Sequence, residues 1–382
     1  MNGHRALRAV VLAACLATAG ATPALAWKLT PEATATERAL AAYSANRLQR
    51  AINGGAFWGV SVVGHAVHED ITRRALQCTD DGQDLPGCEY DIRYQVAGVR
   101  WNDDPAFKFL PGRGEYVGCT AGQTVRMVTQ PLCWVRVFHH GESAAARGVR
   151  LTGANGNLLV RSHFGDLQFL HAMAVADGEA PEQTRRNVLA WAEFTWRTAI
   201  GERGFGLEGV VASLPIDGFA QRFQFNRGWR IQDLFALGDP TARRADRMQK
   251  IALGSLLHVV QDSFAAGHVQ RAAPMPGATC TGRADWPAPG PVVEFHSYPH
   301  QDARKHGRAD QPDALAAHLA GPRPNVIDVV RTLADLWHAG APWDDARPYL
   351  ECVFAVAPDA RPSSPGDRYR PDPPADPGQG GG

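Results

Sequence analysis

Residues 251–268, IALGSLLHVVQDSFAAGH, decide the fold and mark the candidate site. The stretch is mostly apolar, yet it carries His258, Asp262 and His268. Because His258 and Asp262 are four residues apart, a helix places both on one face, with their Cβ atoms about 5–6 Å apart. A carboxylate among leucine and valine side chains is costly to bury unless it is paired or bound to a cation. The stretch therefore predicts either a buried His–Asp hydrogen bond or a metal site.

The composition of the chain is that of a soluble globular protein. Of 382 residues, 45% are hydrophobic and 20% are charged, and the formal net charge is zero. A chain of this balance has no overall basic field that would attract nucleic acid or an anionic membrane. Any anionic substrate must therefore be bound by a local arrangement of side chains.

The N-terminus has the pattern of a secretory signal peptide over residues 1–26. Arg5 and Arg8 precede an apolar run at 9–21, which is too short to span a membrane. The sequence Ala-Leu-Ala at 24–26 is a typical cleavage site, and cleavage there makes Trp27 the first mature residue. The sequence thus predicts a secreted or periplasmic protein.

The cysteines agree with export. Leu-Ala-Ala-Cys15 resembles a lipoprotein processing site, which we rank second because only a very short apolar run precedes it. Removal of the signal peptide takes away Cys15 and leaves an even number of the seven cysteines, which predicts disulfides in an exported protein. We predict the local pairs Cys78–Cys88 and Cys119–Cys133, which leaves Cys280–Cys352. With no CxxC in the sequence, a thiolate zinc site is not expected.

Helical periodicity recurs along the chain, and alternating strand patterns are rare. The predicted helices are 30–52, 66–76, about 89–98, 163–176, 181–200, a central helix that starts at Asp239-Pro240, and then 312–319, 325–338 and 345–355. Residues from about 105 to 160 are rich in glycine and lack a helical period, so they predict a loop or a small β insertion. The sequence thus predicts a mainly α protein, with a single multi-helix domain at 27–358 and a disordered tail at 359–382.

Metal-type ligands also stand near the ends of predicted helices elsewhere in the chain. The stretches are HEDITRRAL at 68–76, RWNDDP at 100–105, RSHFGD at 161–166 and HGRAD at 306–310. Each one alone is more often a helix cap or a surface feature. Their number and order change this interpretation, because imidazole and carboxylate groups are the ligands that zinc prefers.

Together these motifs resemble the bacterial zinc-dependent phospholipase C family and, equally, its relatives the single-strand-specific zinc nucleases. The resemblance rests on the His-x3-Asp-x5-His spacing of His258, Asp262 and His268, on a later His-x3-acid motif, and on the order of motifs over residues 27–310. It implies a mainly α fold that holds three zinc ions. It also implies that Trp27 binds zinc through its own amino and carbonyl groups.

The resemblance implies a close pair of ions and a third, more separate ion. The ligands implied for the pair are Asp262, which bridges, with Asp103, His163 and His258 on one ion and Trp27 and His68 on the other. Those implied for the third ion are His268, His306 and Asp310. Asp103 would lie beside the water that the pair activates, where it could orient that water or act as the catalytic base. The same ligand set would also accept manganese or iron.

Neighbouring residues rival several of these ligands. The rivals are Trp58 for Trp27, His65 for His68, Asp104 for Asp103, and His296 with His300 for His306. We favour His306 because Pro299 argues against a helix between His296 and His300. The pair His139-His140 lies in the insertion and is interpreted as a loop feature.

The leading hypothesis is a secreted, zinc-dependent phosphoric ester hydrolase of the phospholipase C type. Its substrate would be a phospholipid or another phosphodiester, with transient contact to a membrane surface. A single-strand-specific nuclease is the first alternative, and Asp310 favours it because the phospholipases carry Glu there. A nuclease would need a basic groove with aromatic platforms, and no clear basic run is present. The second alternative is a secreted zinc-binding module without catalysis. No obligate protein partner is evident.

Overall fold

The computed structural model describes residues 66–78, 92–109, 119–223, 228–236 and 244–372. Within these ranges most of the chain is helical and only two small sheets form, which confirms the mainly α prediction. The signal peptide, Trp27, Trp58, His65 and the first predicted helix lie outside the described residues, as does the start predicted for the central helix.

The helices are named in chain order. They are α1 (Val67–Leu76), α2 (Arg93–Val99), α3 (Pro131–Ala146), α4 (Leu158–Phe164), α5 (Pro181–Ala199), α6 (Phe219–Phe223), α7 (Ile231–Phe235), α8 (Ala245–Asp262), α9 (Ala303–Ala309), α10 (Pro312–Leu319), α11 (Val326–His338) and α12 (Trp343–Val353). Among the strands, β1 (Phe107–Lys108) pairs antiparallel with β2 (Thr124–Val125), and β3 (Val269–Arg271) pairs antiparallel with β4 (Val292–Phe295).

Helix α8 is the centre of the core. Every residue of its second half, from Ile251 to Asp262, is buried. Its apolar side chains pack with those of α2 and α5, including the stacked rings of Trp101 and Trp191. Because this stretch of the helix is enclosed on most sides, its two ionisable residues, His258 and Asp262, are carried into the interior with it.

Helix α8 ends well before Gly267. The last helical residue is Asp262, and Ser263 follows it in right-handed geometry. Gly267 does not adopt a left-handed backbone. It is needed for space instead, because a β-carbon there would lie 3.0 Å from Nδ1 of His306.

The insertion at 105–160 differs from its prediction. Strands β1 and β2 provide the small β element, but Pro131–Ala146, within the predicted insertion, is helix α3. Pro131 occupies its first turn, where a missing N–H costs nothing. Trp134, Val137 and Phe138 form a buried helical stripe that packs on α4 in a second apolar cluster. The helical period was present but was hidden by the glycine-rich flanks.

Two of the predicted disulfides are confirmed. Cys119–Cys133 ties the hairpin region to the start of α3, and Cys280–Cys352 joins a long loop to α12. Cys78 is also disulfide-bonded, and its predicted partner Cys88 lies outside the described residues. Disulfides of this kind are compatible with an extracellular protein. None of the helices that the structure describes combines the length and apolar character needed to cross a membrane.

The tail was predicted to be disordered from Asp359 onward, and for residues 359–372 this prediction is wrong. Ser363 is buried, and its backbone exchanges hydrogen bonds with Gly178 and Glu179 at 2.8 and 2.9 Å. A short 3-10 helix, Asp367–Tyr369, follows. The segment is held by backbone hydrogen bonds and small side chains, so its polar composition did not reveal its order. Residues 373–382 lie outside the described part of the chain.

Candidate metal centre

The centre is built around the carboxylate of Asp262, at the end of α8. Its Oδ2 lies 2.9 Å from Nε2 of His258, one turn earlier on the same helix. Its Oδ1 lies 3.3 Å from Nε2 of His68, which α1 supplies. All three side chains are fully buried. One carboxylate therefore faces imidazoles from two different helices.

Asp103 joins this group from the turn after α2, and its neighbour Asn102 fixes that turn. Asn102 accepts a hydrogen bond from Oγ of Ser255 on α8 at 2.7 Å and donates one to the carbonyl of Leu170 at 2.7 Å. Asp104 turns the other way, into a buried ion pair with Arg126 at 3.1 Å. Of the two rival aspartates, Asp103 is thus the one that faces the cluster.

Two further histidines complete the inner part. Nε2 of His163, on α4, lies 3.8 Å from Oδ1 of Asp103. Nδ1 of His171 lies 3.6 Å from the same oxygen and 3.0 Å from Oδ2 of Asp262. His171 ends the short 3-10 helix Gln168–His171 and was missed in the sequence. The signal available was a lone histidine in the apolar run LQFLHAM, the same kind of signal that identified His258.

A second group lies beside the first. Nε2 of His268 is 3.9 Å from Oδ1 of Asp310, and Nε2 of His306 is 3.5 Å from Oδ2. The rings of His268 and His306 stack with their centres 4.9 Å apart. His306 is on α9, and Asp310 caps that helix, so the His-x3-Asp spacing again places both on one face.

The rival histidines lie elsewhere. Nδ1 of His296 is bound to the carbonyl of Gly267 at 3.1 Å, and His296 belongs to none of the three-donor groups in the described residues. His300 is exposed and pairs with Asp177. His139 and His140 are on α3 rather than in a loop, and Nδ1 of His139 lies 3.3 Å from Oε2 of Glu142.

Hydrogen bonds determine which ring nitrogen four of the histidines turn inward. In each case Nδ1 faces an oxygen acceptor: His258 with the carbonyl of Val99 (2.6 Å), His268 with that of His171 (2.7 Å), His163 with that of Leu159 (2.9 Å), and His68 with Oε1 of Gln261 (2.6 Å). Because a carbonyl oxygen can only accept, the hydrogen of the neutral ring must be on Nδ1. The lone pair on Nε2 is then directed at the carboxylates, the orientation in which imidazole binds a metal.

Burial keeps the rings of His163, His171 and His258 neutral. It lowers the pKa of His163 to about 3, and the pKa of His171 and of His258 to about 4. Burial and the nearby charge of Asp262 raise the pKa of Asp103 well above its usual value. At neutral pH the histidines therefore carry free lone pairs, while Asp103 has a higher proton affinity than an ordinary aspartate.

The donor set passes a test for a bound cation. In the described part of the chain, several buried polar atoms of this centre make no hydrogen bond, namely both Oδ atoms of Asp103, Oδ1 of Asp262, Nε2 of His163 and of His268, and Nδ1 of His306. Leaving such an atom unsatisfied costs about 1–3 kcal/mol. Buried imidazoles and carboxylates that converge in this way fit zinc, manganese or iron.

The donors form four groups of three whose ligand atoms lie within 4.8 Å of one another. The groups are His68 with Asp103 and His258; Asp103 with His163 and His171; His171 with His258 and Asp262; and His268 with His306 and Asp310. The first three share members and make up what we call the inner centre, and the last is the outer centre. All predicted ligands within the described residues belong to one of the two. Trp27 lies outside those residues.

A buried ion pair links two of the elements that carry ligands of the inner centre. Nη1 of Arg100 lies 2.5 Å from Oε1 of Glu69, and both side chains are inaccessible to solvent. Glu69 follows the ligand His68 on α1, and Arg100 caps α2 just before Asp103. The pair thus joins the two elements that carry these ligands.

No protein-family model, curated protein or solved structure matches this chain.

Proposed function

We propose that the protein is a secreted, metal-dependent phosphoric ester hydrolase of the phospholipase C type. The observation that supports this proposal is the convergence of imidazoles and carboxylates from six separate stretches on one buried centre, with oxygen and nitrogen atoms that have no hydrogen-bond partner there. A purely structural core would pair those atoms, because unpaired buried polar groups are destabilising.

In this proposal the inner centre holds two ions and the outer centre holds one. Asp262 would be shared by the inner ions; Asp103, His163 and His258 would help to hold one of them, and His68 with Trp27 the other. His268, His306 and Asp310 would hold the outer ion. Zinc is the first candidate, and manganese or iron would suit the same donors.

Bound metal ions supply Lewis acidity toward phosphate oxygens and lower the pKa of water. The chain's own contribution is a base beside that water. Asp103 is the carboxylate that would lie beside that water. It would take a proton from the water as the water oxygen bonds to phosphorus, and the ester oxygen on the opposite side would leave as an alcohol with a proton from solvent water as its bond to phosphorus breaks.

Among the described ligands of the inner centre, exposure to solvent is greatest at His163. It is 8% exposed, His171 is 3% and Asp103 is 2% exposed, whereas His68, His258 and Asp262 are fully enclosed. A phosphate group would therefore approach on the side of Asp103 and His163. A single-strand-specific nuclease is the second candidate, and it is favoured by Asp310, where the resembling phospholipases carry glutamate.

Metal analysis and substrate assays test this function on the purified mature protein. About three divalent ions per chain are expected, together with hydrolysis of phosphatidylcholine vesicles that releases the phosphorylated head group. Release of nucleotides from single-stranded DNA without lipid cleavage would favour the nuclease. The Asp262→Asn variant should lose both inner ions and all hydrolysis. A wild-type protein that binds no metal after reconstitution would overturn the proposal.

A further inference from the structure

We propose that His171 is a metal ligand of the inner centre, that it binds through Nδ1, and that it raises the coordination number of the ion between His258 and Asp262 above four. This inference rests on the proposed function, because it concerns one of the ions assigned there. His171 has no counterpart in the ligand set that the motif resemblance implies, so it is a feature of this chain.

The first support is that Nδ1 of His171 lies close to two other ligand atoms of the inner centre. It lies 3.0 Å from Oδ2 of Asp262 and 3.0 Å from Nε2 of His258, and those two atoms are 2.9 Å from each other. Three donor atoms from three residues thus form a nearly equilateral triangle. All three residues are at most 3% exposed, so no bulk solvent reaches the triangle.

The distances between these three atoms can be compared with the distances between ligand atoms around a metal ion. When metal–ligand bonds are about 2.1 Å, adjacent ligand atoms lie about 3.0 Å apart around an octahedral ion and about 3.4 Å apart around a tetrahedral one. The observed edges of 2.9 to 3.0 Å, which are also hydrogen-bond distances, match one octahedral face more closely than a tetrahedral one. Asp103 and His163 approach from the other side, with Oδ1 of Asp103 lying 3.6 Å from the same Nδ1. An ion with five or six ligands fits this surrounding better than a four-coordinate one.

Hydrogen bonding alone does not satisfy the triangle. Nδ1 of His258 donates to the carbonyl of Val99, so its Nε2 is an acceptor. Oδ2 of Asp262 is an acceptor as well. A hydrogen on Nδ1 of His171 would be shared between these two acceptors. A cation in the triangle would bind all three atoms, and the hydrogen of the neutral His171 ring would then be on Nε2, which has no hydrogen-bond partner among the described residues.

The backbone around His171 holds the ring in this position. Ala172, the next residue, is fully buried and has φ of +52°, a left-handed conformation that is uncommon for residues other than glycine. The carbonyl of His171 also accepts a hydrogen bond from Nδ1 of His268 at 2.7 Å. His171 therefore contacts the inner centre with its side chain and orients a ligand of the outer centre with its backbone. Strained geometry of this kind is kept where the surrounding structure enforces it.

Two variants separate a ligand from a mere hydrogen-bond donor. His171→Asn keeps an amide donor close to the position of Nδ1, so it preserves the bond to Asp262 but not the imidazole lone pair. His171→Ala removes both. His296→Asn is the control, because His296 is also buried but belongs to no three-donor group in the described residues. Thermal unfolding of each variant shows whether it folds.

The measurements are the affinity of each variant for Zn²⁺ and Co²⁺ in competition with a chelator, and the visible absorption of the Co²⁺ form. We expect wild-type protein to show the weak bands of five- or six-coordinate cobalt. Both His171 variants should bind one of the ions more weakly. The loss of affinity should be no smaller than the about 10–100-fold that loss of an outer-shell partner of a ligand causes, and the cobalt bands of both variants should shift. The control should match the wild type.

The outcomes distinguish this inference from the proposed function. If His171→Asn keeps the wild-type affinity and cobalt spectrum while His171→Ala loses them, His171 only orients Asp262 and the inference is wrong. If both variants match the wild type, His171 has neither role. If the wild-type protein itself binds no metal, the proposed function and this inference fail together.

Discussion

Gly98 on α2 and Gly254 on α8 face one another where the two helices cross, so closely that a β-carbon on Gly254 would lie 2.6 Å from the Cα of Gly98. This crossing sets the geometry of the inner centre. It brings the carbonyl of Val99 within 2.6 Å of Nδ1 of His258, and it places Asp103, just beyond α2, beside the end of α8. The close approach of two backbones therefore positions ligands from two elements that are far apart in sequence.

The first prediction is that Gly254→Ala lowers both stability and metal affinity. The added methyl group meets backbone atoms of α2 rather than a flexible side chain, so the helices must separate. Overpacking of this kind costs about 1–3 kcal/mol. Urea unfolding of the metal-free protein measures this loss, and chelator competition measures the effect on His258. Gly206→Ala on the surface, where nothing lies within 4 Å and the backbone is not left-handed, is the control for the added methyl group. An unchanged metal affinity in Gly254→Ala would contradict the prediction, because it would show that the helix crossing does not position the metal ligands.

The second prediction contrasts the adjacent aspartates. Asp103→Asn should reduce turnover by about 10²–10⁴-fold, because it removes the base beside the attacked phosphorus. Its metal-free form should be at least as stable as the wild type, since burial and the nearby charge of Asp262 already disfavour ionisation of Asp103.

Asp104→Asn should show the opposite pattern. It leaves the buried guanidinium of Arg126 without its carboxylate, and breaking such a pair costs about 3–5 kcal/mol. The folded fraction should retain its turnover. Steady-state kinetics and unfolding curves of Asp103→Asn and Asp104→Asn test both expectations. Loss of turnover in Asp104→Asn with full activity in Asp103→Asn would reverse the assignment.

The third prediction concerns the pH dependence of the metal-free protein. The pKa of His163 is about 3 and the pKa values of His171 and His258 are about 4, against an ordinary value of 6.5. Between about pH 6.5 and pH 4 the unfolded chain takes up protons that these rings do not take up while folded. The unfolded state then binds more protons, so the free energy of unfolding falls as the pH falls.

The raised pKa of Asp103 acts in the opposite sense, because it favours proton uptake by the folded state. Three histidines outweigh one carboxyl group, and we expect a net loss of at least about 2 kcal/mol between pH 7 and pH 5, since one pKa unit corresponds to about 1.4 kcal/mol. Urea unfolding with a chelator present measures it. The exposed His139→Gln serves as control. A flat profile over this window would mean that the rings are not buried as described.

The sequence was informative wherever a single helix carries the signal. His258 with Asp262 and His306 with Asp310 each lie four residues apart on one helix, so helical geometry alone predicts that they share a face. The proximity of the separate stretches depended on a motif resemblance rather than on any pattern within them. Whether Asp103 or Asp104 faces the centre depended on Arg126, a contact between distant residues that no local pattern contains.

The misses have equally specific causes. His171 occupies a 3-10 turn, where side chains do not follow the four-residue repeat, so its direction could not be deduced from spacing. Helix α3 was assigned to a loop because glycine-rich segments flank it. The segment at 359–372 is held by backbone hydrogen bonds and by contacts with residues far away in the sequence, such as the ion pair of Arg361 with Glu294 at 2.7 Å, so its own composition gives no signal of order.

The fourth prediction is that removal of residues 359–382 weakens the outer centre. The carbonyl of Tyr369 accepts a hydrogen bond from the backbone of Asp302, which is the N-cap of α9 and therefore helps to fix His306. Truncation should lower the unfolding temperature and reduce the affinity of one ion, with the inner centre less affected. Removal of residues 373–382 alone keeps these contacts and is the matched control. Equal metal content and equal affinity in both truncated proteins would contradict the prediction.

The fifth prediction concerns the chain of hydrogen bonds behind His68. Nδ1 of His68 donates to Oε1 of Gln261 at 2.6 Å, Nε2 of Gln261 donates to the hydroxyl of Thr72 at 2.9 Å, and that hydroxyl donates to the carbonyl of His68 at 2.9 Å. This closed loop fixes the orientation of the Gln261 amide, because the Thr72 hydroxyl uses its hydrogen on a carbonyl and must accept from nitrogen. The amide oxygen is therefore the atom that faces His68.

Gln261→Leu removes that oxygen, so the His68 ring loses the bond that holds its Nε2 toward Asp262. We expect the affinity of one inner ion to fall about 10–100-fold, the cost of losing an outer-shell partner of a ligating histidine. Thr72→Val removes only the next link and should have a smaller effect in the same direction. Gln232→Leu, far from the centre, should have none, since its amide pairs with Glu208. Chelator competition measures all three variants. If Gln261→Leu binds metal as tightly as the wild type, His68 is not a ligand, and the second inner ion must be held by other residues.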